Sequence, residues 1–177
     1  MGQLRGTPLD AGGIAAMRSA LDLDLLSPWV LSTLFLQAVA ARCAPLAAAS
    51  AAPSVLVNIS SLAALQPFAC LGPYSVTRAA RDMLARVVGE EEAPGVLTLS
   101  YAPGPMDSEL QQEILGSPGC SASYRDFFAD MAQKKTWVDM GTSAALCVRL
   151  VTRPGAFASG AHVDFYDAQK AEQVGAE

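Results

Sequence analysis

The sequence predicts an α/β domain in which a parallel sheet is flanked by helices, a partial Rossmann-like arrangement. Three observations carry that expectation. Short apolar, β-branched runs recur at Ser54–Ser60, Gly95–Tyr101 and Gly160–Tyr166. Apolar residues at helical spacing fill the stretches between them. Turns rich in Pro and Gly separate the two kinds of segment. Strands buried on both faces read as near-continuous apolar runs, and helix–strand alternation is the pattern of crossover connections.

The elements follow in order. Ser27-Pro28 has the chemistry of a helix entry, with Ser as cap and Pro in the first turn. Val30, Leu31, Leu34, Phe35 and Ala38 then keep helical spacing as far as Arg42. An Ala-rich stretch, Leu46–Ala52, leads to the first strand. A loop with Pro67, Gly72 and Pro73 precedes a helix over Tyr74–Val88, whose apolar side carries Ala80, Leu84 and Val87. The second strand closes on Pro103-Gly104-Pro105. Helices are expected at Ser108–Ile114, Tyr124–Gln133 and Thr142–Val151 before the last strand. The organisation expected is a weakly patterned segment over 1–20, one domain over 21–167 and a polar tail over 168–177.

Composition narrows the function. Half of the 177 residues are hydrophobic (51%) and few are charged (16%), enough for one packed core and unlike a disordered chain. A net charge of −5 with no Lys/Arg block argues against nucleic acid as a partner. Cys43, Cys70, Cys120 and Cys147 form no C-x-x-C pair, and His162 is the sole histidine, so no zinc site is expected. Scattered cysteines of this kind fit a reducing compartment, where they act as small apolar fillers. The apolar run Trp29–Ala41 is too short and too polar to suggest a membrane span.

In parallel α/β sheets the ligand crevice lies beyond the carboxyl ends of the strands. That rule draws attention to Ser61, just past the first strand, and to the Pro103-Gly104-Pro105 turn. Tyr74 opens a helix thirteen residues after Ser61, and Arg78 lies four residues on, over the same helix face. A tyrosine can give a proton to a carbonyl oxygen, but its free pKa near 10 is too high for easy exchange at neutral pH. A neighbouring cation favours the phenolate. A serine hydroxyl can hold the oxygen while charge develops on it. The alternative for Ser61 and Tyr74, from spacing alone, is a capping serine and a half-buried tyrosine.

The pattern Ser, then Tyr74-Ser-Val-Thr-Arg78, resembles the active-site motif of the short-chain dehydrogenase/reductase family, with Arg where that family has Lys. Longer blocks are similar to its sepiapterin reductase branch: Val57-Asn-Ile-Ser-Ser-Leu-Ala-Ala-Leu-Gln-Pro-Phe68, Ala79-Ala-Arg-Asp-Met-Leu84, Tyr101-Ala-Pro-Gly-Pro105 and Ser159-Gly-Ala-His-Val-Asp-Phe-Tyr-Asp167. The resemblance implies an NADPH-dependent reductase for a pterin side-chain ketone, cytoplasmic, acting in tetrahydrobiopterin synthesis. It implies Tyr74 as proton donor, Ser61 as the carbonyl-positioning hydroxyl and Arg78 in place of the ribose-contacting lysine. Pro103, Gly104, Pro105, Met106 and Ser108 would line the nicotinamide, and Asp164 would anchor the pterin ring. It also implies a homodimer formed through the helices at 27–41 and 74–88.

The chain departs from the family pattern at three points. Arg78 replaces the lysine, and the two side chains are not interchangeable at a tight site. The family's active-site Asn corresponds to Asp24, or to Asp22, and a carboxylate there could pair with Arg78. The family's glycine-rich dinucleotide turn has no counterpart, since Gly12-Gly13 follows no strand. Two further readings accompany the leading one: a catalytically impaired remnant acting through its dimer helices, and a related reductase for another carbonyl. For Asp164 the plain alternative is a solvated carboxylate at a strand end. Arg81 and Asp82 read as solvated helix residues, and His162 as a packed or surface histidine.

Overall fold

The computed structural model describes residues 11–43 and 52–174. Residues 1–10, most of the Ala-rich stretch and the last three residues of the tail lie outside them. Three parallel strands, β1 (Ser54–Ile59), β2 (Val96–Ala102) and β3 (Ala161–Asp164), stand in the order β1-β2-β3. The register aligns Asn58 with Ser100 and Ser100 with His162. The sheet has helices packed on it, as the strand–helix alternation predicts.

The first helical region is longer than expected. α1 (Ala11–Leu21), a π-helical turn (Asp22–Leu26) and α2 (Ser27–Cys43) follow without a break. Ser27 has helical angles (φ −59, ψ −50) and so caps nothing. The two glycines at 12 and 13 weaken the local signal, since Gly is about 1 kcal/mol poorer than Ala in a helix; continuity with the helical turns that follow compensates. By length and composition, Gly12–Arg42 is long and apolar enough to cross a membrane, well beyond the Trp29–Ala41 run that hydropathy picks out.

α3 (Gly72–Glu92) is the helix that connects β1 to β2. Pro73 occupies its first turn, where a missing N–H costs nothing. Thr77, Asp82, Ala85 and Val88 are buried. Near its end the helix meets the sheet so closely that a Cβ on Gly89 would fall 2.6 Å from Thr98 Oγ1 and 2.7 Å from Ser159 Oγ. Thr98 in turn donates to the Ala85 carbonyl at 2.6 Å.

After β2 come α4 (Glu109–Gly116), α5 (Ala122–Lys134) and α6 (Met140–Thr152), entered through Ser108, Ser121 and Asp139 as side-chain caps. Cys70, Leu71, Ile114, Cys120, Tyr124, Phe128 and Met131 form one apolar cluster. A second holds Val138, Leu146, Phe165 and Ala168. The last strand ends at Asp164, where Oδ1 accepts the Tyr166 N–H at 2.9 Å and turns the chain into α7 (Phe165–Val174). The expected polar tail is therefore mostly helix. It reads as polar because only a narrow stripe, Phe165 and Ala168, is buried.

Leu99, with no exposed surface, sits at the centre of β2. Leu99→Ala is expected to lower the unfolding free energy by about 2–5 kcal/mol, measured by urea denaturation.

Candidate functional site

The first and second strands each end in a loop with a tightly held backbone. After β1, Ser61 caps a short 3-10 turn: it accepts the Ala63 N–H at 3.2 Å. That bond uses a lone pair and leaves the hydroxyl proton free to point elsewhere. After β2, Gly104 has φ +82, and a Cβ there would sit 2.9 Å from Val138 Cγ2. The neighbouring Pro103 carbonyl accepts from Ser143 Oγ at 2.9 Å, and the Tyr101 hydroxyl donates to the Ser143 carbonyl at 3.0 Å. Pro105 O accepts the Val138 N–H at 2.9 Å. The turn is thus pinned on both sides. Burial pushes the Tyr101 phenol above its ordinary pKa, so it stays a neutral donor.

A cleft of about 680 Å³ opens at this end of the sheet. Ser61, Tyr74, Arg78, Pro103, Gly104, Pro105, Met106, Ser108 and Asp164 all line it. Asp24 lies outside the lining set but reaches it through Arg78: the carboxylate is 3.6 Å from the guanidinium, the two side chains being 31% and 15% exposed. The π-helical turn sits against α3 and carries Asp24 on that side; a π turn adds a residue and re-aims the side chains after it. Between the two candidates, it is Asp24 that pairs with Arg78.

Arg78 also covers the Tyr74 ring, its guanidinium carbon 4.6 Å from the centroid. A cation over an aromatic face at this range is attracted by the ring quadrupole, by about 1 kcal/mol or more when desolvated. Asp164 has two positions to satisfy: it caps α7 through Oδ1 and lines the cleft. A carboxylate has about four lone-pair sites, so one cap bond leaves most of it available. The strand-end role anticipated for Asp164 and a place in the cleft are compatible.

Reasoning from sequence missed a network beneath these groups. Asp82, expected in solvent, is 3% exposed. Its Oδ2 meets His162 Nδ1 at 2.6 Å and its Oδ1 accepts from Asn58 Nδ2 at 3.0 Å. Asn58 Nδ2 also reaches Ser100 Oγ at 3.0 Å. Arg81, also expected in solvent, donates to Asn58 Oδ1 at 2.9 Å and to the Ile59 carbonyl at 3.2 Å, and it lines the cleft. Desolvation, and then the neighbouring Arg78, lower the Arg81 pKa. Burial works against the Asp82 charge, but the hydrogen bond from His162 outweighs it with its companions and holds the carboxyl below the ordinary value. The register could have given the signal: Asn58 and His162 fall on the same row as Ser100.

With this geometry in view, the class of protein is defined: the chain belongs to the short-chain dehydrogenase family, whose model matches residues 15–117, more than half of its length. Within that family it is similar to the sepiapterin reductases of Meriones unguiculatus (46% identical over 112 residues) and Rattus norvegicus (47% over 112); each alignment covers 63% of this chain and 42% of the relative. A benzil reductase from Bacillus subtilis is 32% identical over 127 residues, 68% of this chain and 47% of the relative. The chain spans less than half the length of these curated relatives. Among solved structures, a short-chain dehydrogenase/reductase from Saccharomyces cerevisiae shares the fold with a TM-score of 0.78 at 20% identity, covering 97% of this chain and 63% of that one. A gluconate 5-dehydrogenase from Burkholderia cenocepacia, in complex with NADP and tartrate, gives 0.70 at 18%, covering 97% and 62%.

Two outcomes follow. Because the Asp82 carboxyl is held low, its stabilisation is present above the unfolded carboxylate pKa of about 4 and is lost as pH falls through the folded value. The melting temperature of the parent should exceed that of Asp82→Asn at neutral pH, and the gap should close below about pH 4; a gap constant down to pH 2 contradicts this. Gly104→Ala, strained in φ and crowded by Val138, should destabilise the fold by about 1–3 kcal/mol, read from denaturant melts.

Proposed function

We propose that this chain is a carbonyl reductase of the sepiapterin reductase type, which uses NADPH to reduce a pterin side-chain ketone in tetrahydrobiopterin synthesis. One observation carries the reading: the hydroxyl of Ser61, the phenol of Tyr74 with its cation, and the carboxylate of Asp164 line a single cleft at the ligand end of a parallel sheet. Similarity to the sepiapterin reductases supports the pterin over other carbonyls, as does Asp164, which an ordinary ketone would not require.

The residues present suit the nicotinamide end of a dinucleotide. The buried Arg78 Nε has no hydrogen-bond partner among the described residues, and Gly104 lines the cleft through its backbone, its conformation fixed by close packing on Val138. Arg78, Pro103, Gly104, Pro105, Met106 and Ser108 would hold it. The chemistry such a group would supply when bound is hydride for the carbonyl carbon. Ser61 donates its free hydroxyl proton as a hydrogen bond to the carbonyl oxygen and fixes its direction. Tyr74 transfers its phenolic proton to that same oxygen as charge builds there. Arg78, lying over the ring, stabilises the phenolate left behind. Asp24 draws on part of that cationic charge, so the proton donor is less well supported than it would be by an unpaired cation.

The partner proposed is a second copy, in the cytoplasm. Leu23, Leu31 and Leu34 on the long helical rod and Val76 and Met83 on α3 are exposed. Exposed apolar residues on these elements suit an association surface, and α2 and α3 contain the two helices the family resemblance implies.

The test is NADPH-dependent reduction of sepiapterin by the purified chain. Tyr74→Phe should lower turnover by about 100-fold or more through loss of the proton donor. Arg78→Lys should raise turnover, because a compact ammonium fits where a planar fork meets Asp24. An Arg78→Lys variant no better than the parent contradicts the role given to Arg78.

A further inference from the structure

We propose that the buried His162–Asp82 pair is a positioning device that fixes the span between the pterin-anchoring carboxylate of Asp164 and the proton donor Tyr74, and so determines which substrate length the cleft accepts. The inference rests on the pterin reading above.

β3 carries Asp164 and is a short edge strand: four residues, paired among the described residues with β2 alone. Tyr74 lies on a different element, α3. Nothing in the β2–β3 ladder relates these two groups. α3 also meets the chain at the start of β3, where Gly89 lies against Ser159 and Arg86 against Gly160; nearer to both groups, the link is the contact of His162 Nδ1 with Asp82 Oδ2 at 2.6 Å. His162 is two residues before Asp164, about 6–7 Å along the strand. Asp82 is eight residues after Tyr74, about 12 Å along the helix axis. The pair therefore joins substrate anchor and proton donor by two rigid arms. Asn58 braces the joint from β1, bonding Asp82 and Ser100 through one nitrogen and accepting Arg81 through its oxygen.

The energetics point the same way. Both side chains are about 95% buried, with 6% and 4% exposed. Breaking even is the usual fate of a buried polar pair set against apolar residues of the same volume, so such a pair is weak evidence for stability as an end in itself. Here the cost is higher, because His162 Nε2 is also buried with no hydrogen-bond partner among the described residues. An apolar side chain would fill the space more favourably. What it could not supply is a directional, short bond that sets helix against strand.

The experiment is a titration of sepiapterin against the full chain, followed by pterin fluorescence, with His162→Ala, His162→Asn, Asp164→Asn and the His162→Ala/Asp164→Asn double variant. Asp164→Asn and His162→Ala should each raise the Kd about tenfold, equivalent to about 1.4 kcal/mol. His162→Asn, which keeps a nitrogen near the Nδ1 position, should stay within about twofold of the parent, and the double variant should be no weaker than the worse single one, since both changes disable one interaction. A parent-like Kd for His162→Ala, an equal loss in His162→Asn, or losses that multiply in the double variant overturns the inference. Should His162→Ala fail to fold, Asp82→Asn keeps the volume and is expected to show the same tenfold, non-additive loss. If the parent binds sepiapterin but Asp164→Asn binds it equally well, the anchoring role falls and the span with it. If the parent binds no pterin, the pterin reading itself is overturned.

Discussion

The docking of α3 on the sheet is the constraint from which the site follows. The helix brings Tyr74, Arg78 and Arg81 to the cleft, and its place is set by two different kinds of contact. At one end the approach is steric, with Gly89 against Thr98 and Ser159. In the middle it is polar, with Asp82 bonded to Asn58 of β1 and His162 of β3. Apolar packing is forgiving of a rotation by a few degrees; two directional bonds to one carboxylate are not. A helix held this way presents the same side chains to the cleft each time the protein folds.

A second layer of control is electrostatic. Arg78 lies between the Tyr74 ring and Asp24. Its charge is shared by an aromatic face and a carboxylate, and Arg81 adds a second cation nearby, itself perturbed by burial and by Arg78. Two cations, one carboxylate and one phenol thus share one end of the cleft. Arg78 and Asp24 are coupled in space, because their side chains pair. Each is best understood with the other.

Much of this was legible in the sequence. The three strands, the long helix α3 and the three helices after β2 declare themselves because their apolar periodicity is strong and their turns carry Pro, Gly and capping side chains. The cleft residues were legible because Ser61, Tyr74 and the Pro103–Pro105 turn sit at element ends, where topology alone directs them to the ligand face. Three features were hidden, each for a physical reason. α1 is weakened locally by Gly12 and Gly13 and exists by continuity with α2. α7 buries too narrow a stripe to look amphipathic. The Asp82 network joins residues 24 and 80 positions apart; a charged residue on a helix reads as solvated until the sheet register shows what lies beneath it.

The most direct test is a crystal structure of the chain with a nicotinamide cofactor and a pterin ketone. The account predicts Tyr74 Oη and Ser61 Oγ within about 3 Å of one carbonyl oxygen, with Asp164 bonded to the pterin's amino-pyrimidine edge. A carbonyl oxygen out of reach of either hydroxyl, or a pterin ring turned away from Asp164, contradicts it.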